Sequence, residues 1–248
     1  MTTSPATPGP LQAGIAAMRR FYRPFLLIQA AAVLAVLAYD RNDGMRSFCA
    51  AVARMKTAGG TLFAGFSASI AGAVLPEIAK LIGDTRRYRL KGRGRELLFN
   101  LVFFAFNGVV VDFLYRGEAR LFGLATTAGT VAKKVAFDQF VFTPLWLPLI
   151  IALFLWRQQR FLPAATWAAL RIPGFYRTRV VPLLLPAWCF WIPMVCLIYA
   201  LPVPLQFVLF VLALGAWSLI MVFIASASAA SEPLDGSGRR FTRSSADE

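Results

Sequence analysis

The amino-acid sequence predicts an all-α fold: a multi-pass transmembrane helical bundle of about six apolar segments. Three observations predict it. The chain is 58% hydrophobic and 15% charged, with a mean hydropathy of +0.62, whereas soluble domains carry about a quarter charged residues. Its apolar residues fall in runs near the roughly 20 residues that cross a bilayer as a helix. Its 26 Lys and Arg outnumber 12 Asp and Glu, a net charge of +14, and they gather in short segments between the apolar runs. Such segments face the cytoplasm and anionic head groups. This placement makes membrane lipids at the basic loops the expected partner and argues against nucleic acid.

Residues 1–24 form a basic amino-terminal segment expected to be disordered, with Ser, Thr and Pro concentrated in the first ten residues. A single bundle follows over residues 25–228, and residues 229–248 form a tail also expected to be disordered. The first apolar segment, Phe25 to Tyr39, has fifteen residues, below the roughly 17 to 25 of a spanning helix. Whether it spans is open: Phe21 and Tyr22 at the interface with Arg23 snorkelling would extend it. A cleaved signal peptide fits less well, because no clear small-residue cleavage site follows.

The second segment runs from Thr61 to Ile82, the third from Leu97 to Tyr115, the fourth from Phe137 to Trp156, the fifth from Val180 to Ala200 and the sixth from Val203 to Ala225. Leu201-Pro202-Val203-Pro204 separates the last two, which predicts a tight helical hairpin. Pro182, Pro186 and Pro193 predict a kinked fifth span. The mildly amphipathic stretches Met45 to Lys56 and Gly117 to Lys134 read as short interfacial helices. With six spans and both ends cytoplasmic, 17 basic residues lie inside and 8 outside, with Lys80 left in a span. That contrast obeys the positive-inside rule.

Polar residues inside the apolar runs are the candidates for function. The fourth segment with Ala136 before it forms 21 residues, about 31 Å of helix, headed by Asp138 and Gln139. An ionisable group at membrane depth needs a partner or a use. Asp112 closes the third segment and Asp138 opens the fourth, so both fall near the non-cytoplasmic face. Arg116 follows Asp112 by four, the favourable acid-first order, whereas Lys134 precedes Asp138 by four, the poorer one. Asn107 lies deep in the third span and requires a partner across the bundle. Glu77 and Lys80, three apart, form an ion pair at the inner end of the second span or contact a solute there.

Gly65, Ser69 and Ala73 recur every four residues, a stripe for close helix packing within one chain or between copies in a homo-oligomer. Pro144 and Pro148 share a face and imply a kink, and Trp156 beside Arg157 reads as an interfacial anchor. The run Arg86 to Arg95 reads as a lipid-binding loop, since Gly92 and Gly94 follow no strand and lack a third glycine.

The chain has no histidine and three cysteines. The commonest general base and transition-metal ligand are therefore missing, and Cys189, Cys196 and Cys49 complete no ligand set. No enzyme chemistry, cofactor or metal is expected. Two readings remain: a weakly selective pore or channel for small solutes lined or gated by Asp138, Gln139, Asp112, Asn107 and Glu77, or a structural membrane protein binding lipids or partners without transport.

Lys133-Lys134, then Phe137-Asp138-Gln139, then Phe142-Thr143-Pro144 resemble, in order and spacing, the signature of the Mpv and twenty-two-kilodalton peroxisomal membrane protein family. Gly108-Val109 with Asp112 and Tyr115 is similar to that family's Gly-Pro, polar and Trp-Tyr segment, with Val109 and Leu114 in place of proline and tryptophan. Trp191, Pro193, Tyr199, Pro202 and Trp217 are similar to its distal pattern, without the usual Gln, Asn-Phe and following Arg. The resemblance covers about residues 100 to 228. It implies a helical protein of a mitochondrial inner, peroxisomal or bacterial inner membrane, proposed to form a weakly selective pore.

Overall fold

The computed structural model describes residues 9–83 and 93–230. Nine α-helices and no strand occur among them: α1 Pro10–Arg41, α2 Asp43–Ser69, α3 Leu75–Gly83, α4 Gly94–Phe122, α5 Ala128–Phe137, α6 Thr143–Gln158, α7 Pro163–Leu170, α8 Val181–Ala200 and α9 Val203–Ala230. Three single π-helical turns, Ile70–Val74, Asp138–Phe142 and Tyr176–Val180, join α2 to α3, α5 to α6 and the loop to α8. The protein is an all-α, multi-pass helical bundle, and its apolar helices identify an integral membrane protein.

Among the described residues five helical stretches are long and apolar enough to cross a membrane: Tyr22–Arg41, Asp43–Ile82, Gly94–Phe122, Ala128–Gln158 and Tyr176–Ala200. The sixth apolar segment lies in α9, where Leu205–Leu219 is the apolar stretch so characterised. The first segment gains its length from the turn preceding Phe25. Arg23 lies there with its Nε–H donating to Tyr22 Oη at 3.0 Å.

Two expectations are corrected. The segment 1–24 is not disordered throughout, since α1 is helical from Pro10, with proline at the first position where its missing N–H costs nothing. Gly117 to Lys134 divides between the end of α4 and the start of α5. Met45 to Lys56 lies in the first of two helical pieces of α2, capped by Asn42, whose Oδ1 accepts from Met45 N–H at 3.0 Å. A kink at Gly60, with φ 53° and ψ −133°, separates that piece from the second span, a positive-φ backbone that glycine adopts without a Cβ penalty. The basic run's residues 84–92 and the tail 231–248 lie outside the described residues.

The π-turns have a shared cause in the sequence. Each ends two residues before a proline, Pro76, Pro144 or Pro182. A proline inside a helix has no N–H to give and drives its ring against the carbonyl four residues back. The preceding residue responds by donating one residue further: Leu75 to Ile70, Thr143 to Asp138 and Val181 to Tyr176. The widened turn relieves the clash and keeps the chain helical.

Packing follows from small residues and from α9. Gly65, Ser69 and Ala73 are buried. Ser69 Oγ donates to the Leu101 carbonyl of α4 at 2.8 Å, and a Cβ on Gly65 would stand 3.2 Å from the Ala105 carbonyl oxygen. The closest approach to a neighbouring backbone is on α4 itself: a Cβ on Gly108 would come within 2.4 Å of the Ala64 carbonyl oxygen. Helices α2 and α4 thus meet backbone to backbone, so this stripe works within the chain. Helix α9 packs against α2, α3 and α8, and Leu205 to Phe210 are all buried, as expected of a helix apolar on every side. Helix α1 lies along α8, where Gln29 Nε2 donates to the Cys189 carbonyl at 3.0 Å.

Candidate functional site

Helices α4 and α6 face each other through side chains, with α8 and α9 closing the space between them. The Trp146 indole N–H donates to Asn107 Oδ1 at 3.0 Å across that gap. The Phe103 and Phe154 rings meet edge to face, 5.1 Å apart. Asn107 at membrane depth therefore has a partner across the bundle, on α6.

The space holds a partly open cavity of about 600 Å³, within the usual range for ligand pockets. Its wall on α4 is one helical stripe: Glu96, Asn100, Phe103, Asn107, Val111 and Tyr115. Those residues span 19 positions, about 28 Å of helix, close to the roughly 30 Å hydrocarbon thickness of a bilayer. A matching stripe on α6 runs from Thr143 through Trp146, Ile150 and Phe154 to Arg157. Apolar and aromatic side chains make the middle, and polar groups stand at both ends.

At one end Arg157 Nη1 lies 3.2 Å from Glu96 Oε1, and Lys80 Nζ lies 2.5 Å from Glu77 Oε1. Glu77 also has Arg93 at 3.7 Å. Lys80, Glu96 and Arg157 line the cavity, whereas Glu77 stands behind Lys80. The carboxyl side chain of Glu96 is 46% exposed, so the cavity reaches the surface here.

The opposite end is a buried polar cluster assembled by α4, α5, the π-turn Asp138–Phe142 and α8. Tyr199 Oη donates to Asp138 Oδ2 at 2.9 Å, and Gln139 Nε2 donates to Asp138 Oδ1 at 3.1 Å. The Trp188 indole N–H holds the Gln139 carbonyl at 2.8 Å. Asp138 and Gln139 both line the cavity. Among the described residues no cation lies within ion-pair distance of Asp138.

Lys134, four residues before Asp138, does not bridge it. The side chain is 2% exposed, its Nζ lies 5.7 Å from the centroid of the Tyr199 ring, and its charge acts on Glu118. Glu118 is 1% exposed, and neither carboxyl oxygen has a hydrogen-bond partner among the described residues. The Tyr199 hydroxyl lies between the two carboxyls, donating to Asp138 and interacting with Glu118, which also feels the charges of Asp138 and Lys134. Sequence reasoning missed Glu118, Lys134 and Tyr199 as members of a site. The signal that points to them is a set of charges at the two ends of a connecting segment whose flanking helices must converge.

Asp112 belongs elsewhere. Lys56 Nζ lies 2.7 Å from its Oδ1, Arg116 pairs with its Oδ2, and Thr61 Oγ1 donates to Oδ2 at 3.2 Å. It does not line the cavity. The structure therefore brings together Asn107, Asp138 and Gln139 along one cavity, puts Glu77 behind its inner end, and ties Asp112 to α2.

Two further buried polar atoms have no partner among the described protein groups: Gln139 Oε1 and Ser218 Oγ. Both residues line the cavity. Among the described residues no group of three or more Cys, Asp or Glu is placed to hold a metal ion. Compared with known proteins, the chain matches no family model, no curated protein and no solved structure.

Proposed function

We propose that this integral membrane protein provides a weakly selective pathway for small solutes through the cavity between α4 and α6. The observation that carries the proposal is the run of that cavity along about 28 Å of α4, with polar groups at both ends, from Glu96 and Arg157 to Asp138 and Gln139. Solute enters from the Glu96 end and meets the Asp138, Gln139 and Tyr199 cluster at the other. That cluster acts as the gate, because its buried polar groups must rearrange before a solute passes. The resemblance of the Lys133-Lys134, Asp138-Gln139 and Thr143-Pro144 pattern to the Mpv and twenty-two-kilodalton family supports the same reading.

The competing reading, a structural membrane protein whose acids are all paired, is favoured at Asp112, which Lys56 and Arg116 bridge away from the cavity. Reconstitution decides between them. Purified protein in planar bilayers is expected to conduct, with conductance and ion preference altered by Asp138→Asn at several salt concentrations. A folded, reconstituted chain that stays electrically silent and releases no small solute from vesicles overturns the proposal.

A further inference from the structure

The Asp138 end of the cavity has a chemical character of its own. It offers acceptors without matching donors: Gln139 Oε1 has no partner, and its identity as oxygen is fixed because the Nε2 donates to Asp138. The side chains that hydrogen-bond Asp138, those of Tyr199, Gln139 and Thr143, are all neutral. The basic side chain nearest in sequence, Lys134, is turned to Tyr199 and Glu118.

Beside these acceptors stand aromatic faces. Tyr115 and Phe210 line the cavity; the Tyr115 ring is 5.5 Å from that of Tyr199, the hydrogen-bond donor to Asp138, and 6.0 Å from Phe210, against which Trp191 lies at 6.2 Å. Aromatic faces attract cations through the ring quadrupole, most strongly where water is excluded. The cationic side chains that line the cavity, Lys80 and Arg157, stand at the far end. Each already faces a carboxylate there.

We infer that the Asp138 end of this cavity is a binding site for an organic ammonium ion, its N–H groups donating to Asp138 and Gln139 and its apolar part lying against Tyr115 and Phe210. A bare metal ion would leave the aromatic wall unused, and an anion would meet Asp138 and unpaired acceptors. A neutral amphiphile would fill the apolar wall but leave the carboxylate without its counter-charge. The inference names the solute class of the proposed pathway, and it rests on that reading for the route by which the cation reaches Asp138.

The test uses the full chain in lipid nanodiscs and titration calorimetry with benzylammonium chloride, with benzyl alcohol as the uncharged counterpart and empty nanodiscs subtracted. Expected is saturable one-site binding of the ammonium, at least about tenfold tighter than the alcohol and weakened about tenfold by Asp138→Asn. Gln139→Met keeps side-chain length and removes the acceptor, so it lowers ammonium affinity several-fold and leaves benzyl alcohol unchanged. It carries the test if Asp138→Asn does not fold. Equal affinity for the two probes, or ammonium binding indifferent to both substitutions, overturns the inference.

Vesicle flux measured on the same preparations separates the two claims. A chain that conducts without discriminating the probes keeps the pathway and loses the ammonium site. A chain that is silent yet binds the ammonium through Asp138 keeps the site and loses the pathway.

Discussion

Asn107 shows how a single polar side chain is put to use inside an apolar helix. Its Oδ1 accepts from Trp146, so Asn107→Leu leaves a half-buried indole N–H unpaired. Hydrogen bonds between membrane helices contribute about 0.6 kcal/mol on average and up to about 1.7, and a loss of about 1 kcal/mol is expected in detergent unfolding. Trp146 fluorescence should change with it. Asp112 carries more. Asp112→Ala strands Lys56 and Arg116, for which about 3 kcal/mol is expected, the lower end for a broken buried pair. The double substitution Asp112→Ala with Lys56→Met should recover part of that loss, measured by the same unfolding assay. Recovery would mark the acid as a structural clamp; conductance altered at unchanged stability would contradict it. The pairing of Asp112 with Arg116 was legible from the four-residue spacing. Lys56 was not, because it lies 56 positions away in the chain and is brought near only by the α2–α4 approach.

At the scale of elements, apolar run length and proline positions foretold much of the helical layout. Connections were less legible. Met45 to Lys56 carries scattered charges that read as a helix of its own, and its helical piece does end at a kink, but at Gly60 rather than at the change in polarity after Lys56. The π-turn at Asp138–Phe142 was hidden for another reason: proline announces a kink, while the way the backbone absorbs it depends on neighbouring helices. That turn sets where Asp138 and Gln139 point. Pro144→Ala restores an amide that can donate to the Phe140 carbonyl, so the turn should tighten to an α-helical one and rotate Asp138 out of register with Tyr199. Helix stability is expected to hold or rise while conductance falls, read by thermal unfolding and planar-bilayer recording together. Unchanged conductance would separate the π-turn from the gate. Gly108 tests the α2–α4 seam. Gly108→Val forces the backbones apart and should cost about 1–3 kcal/mol, the usual penalty of overpacking.

For the whole molecule, the positive-inside rule applied to six spans predicts one sidedness: both ends on one face, and the α4–α5 connection on the other. Cysteines introduced by Ser4→Cys and Ser244→Cys, in a chain freed of its own three, should react with an impermeant thiol reagent from the same face. Thr126→Cys should react from the opposite one. Labelling of the two ends from different faces would require an odd number of crossings. Burial at this scale also explains why Glu118, Lys134 and Tyr199 escaped a reading of sequence alone. Each sits in a different helix or at a helix end, and they share an environment only after the bundle closes.

The position of α9 has a consequence for how the protein is made. It is the helix around which α2, α3 and α8 gather, and it leaves the ribosome after all of them. Its Phe210, Leu214 and Trp217 wall the cavity. Until they arrive, earlier helices wait in the bilayer with Asp138 and Asn107 open to lipid on that flank. Assembly of the site is therefore completed only once α9 has been made, and a chain halted before Leu205 would hold the polar groups of the site without the wall that α9 supplies.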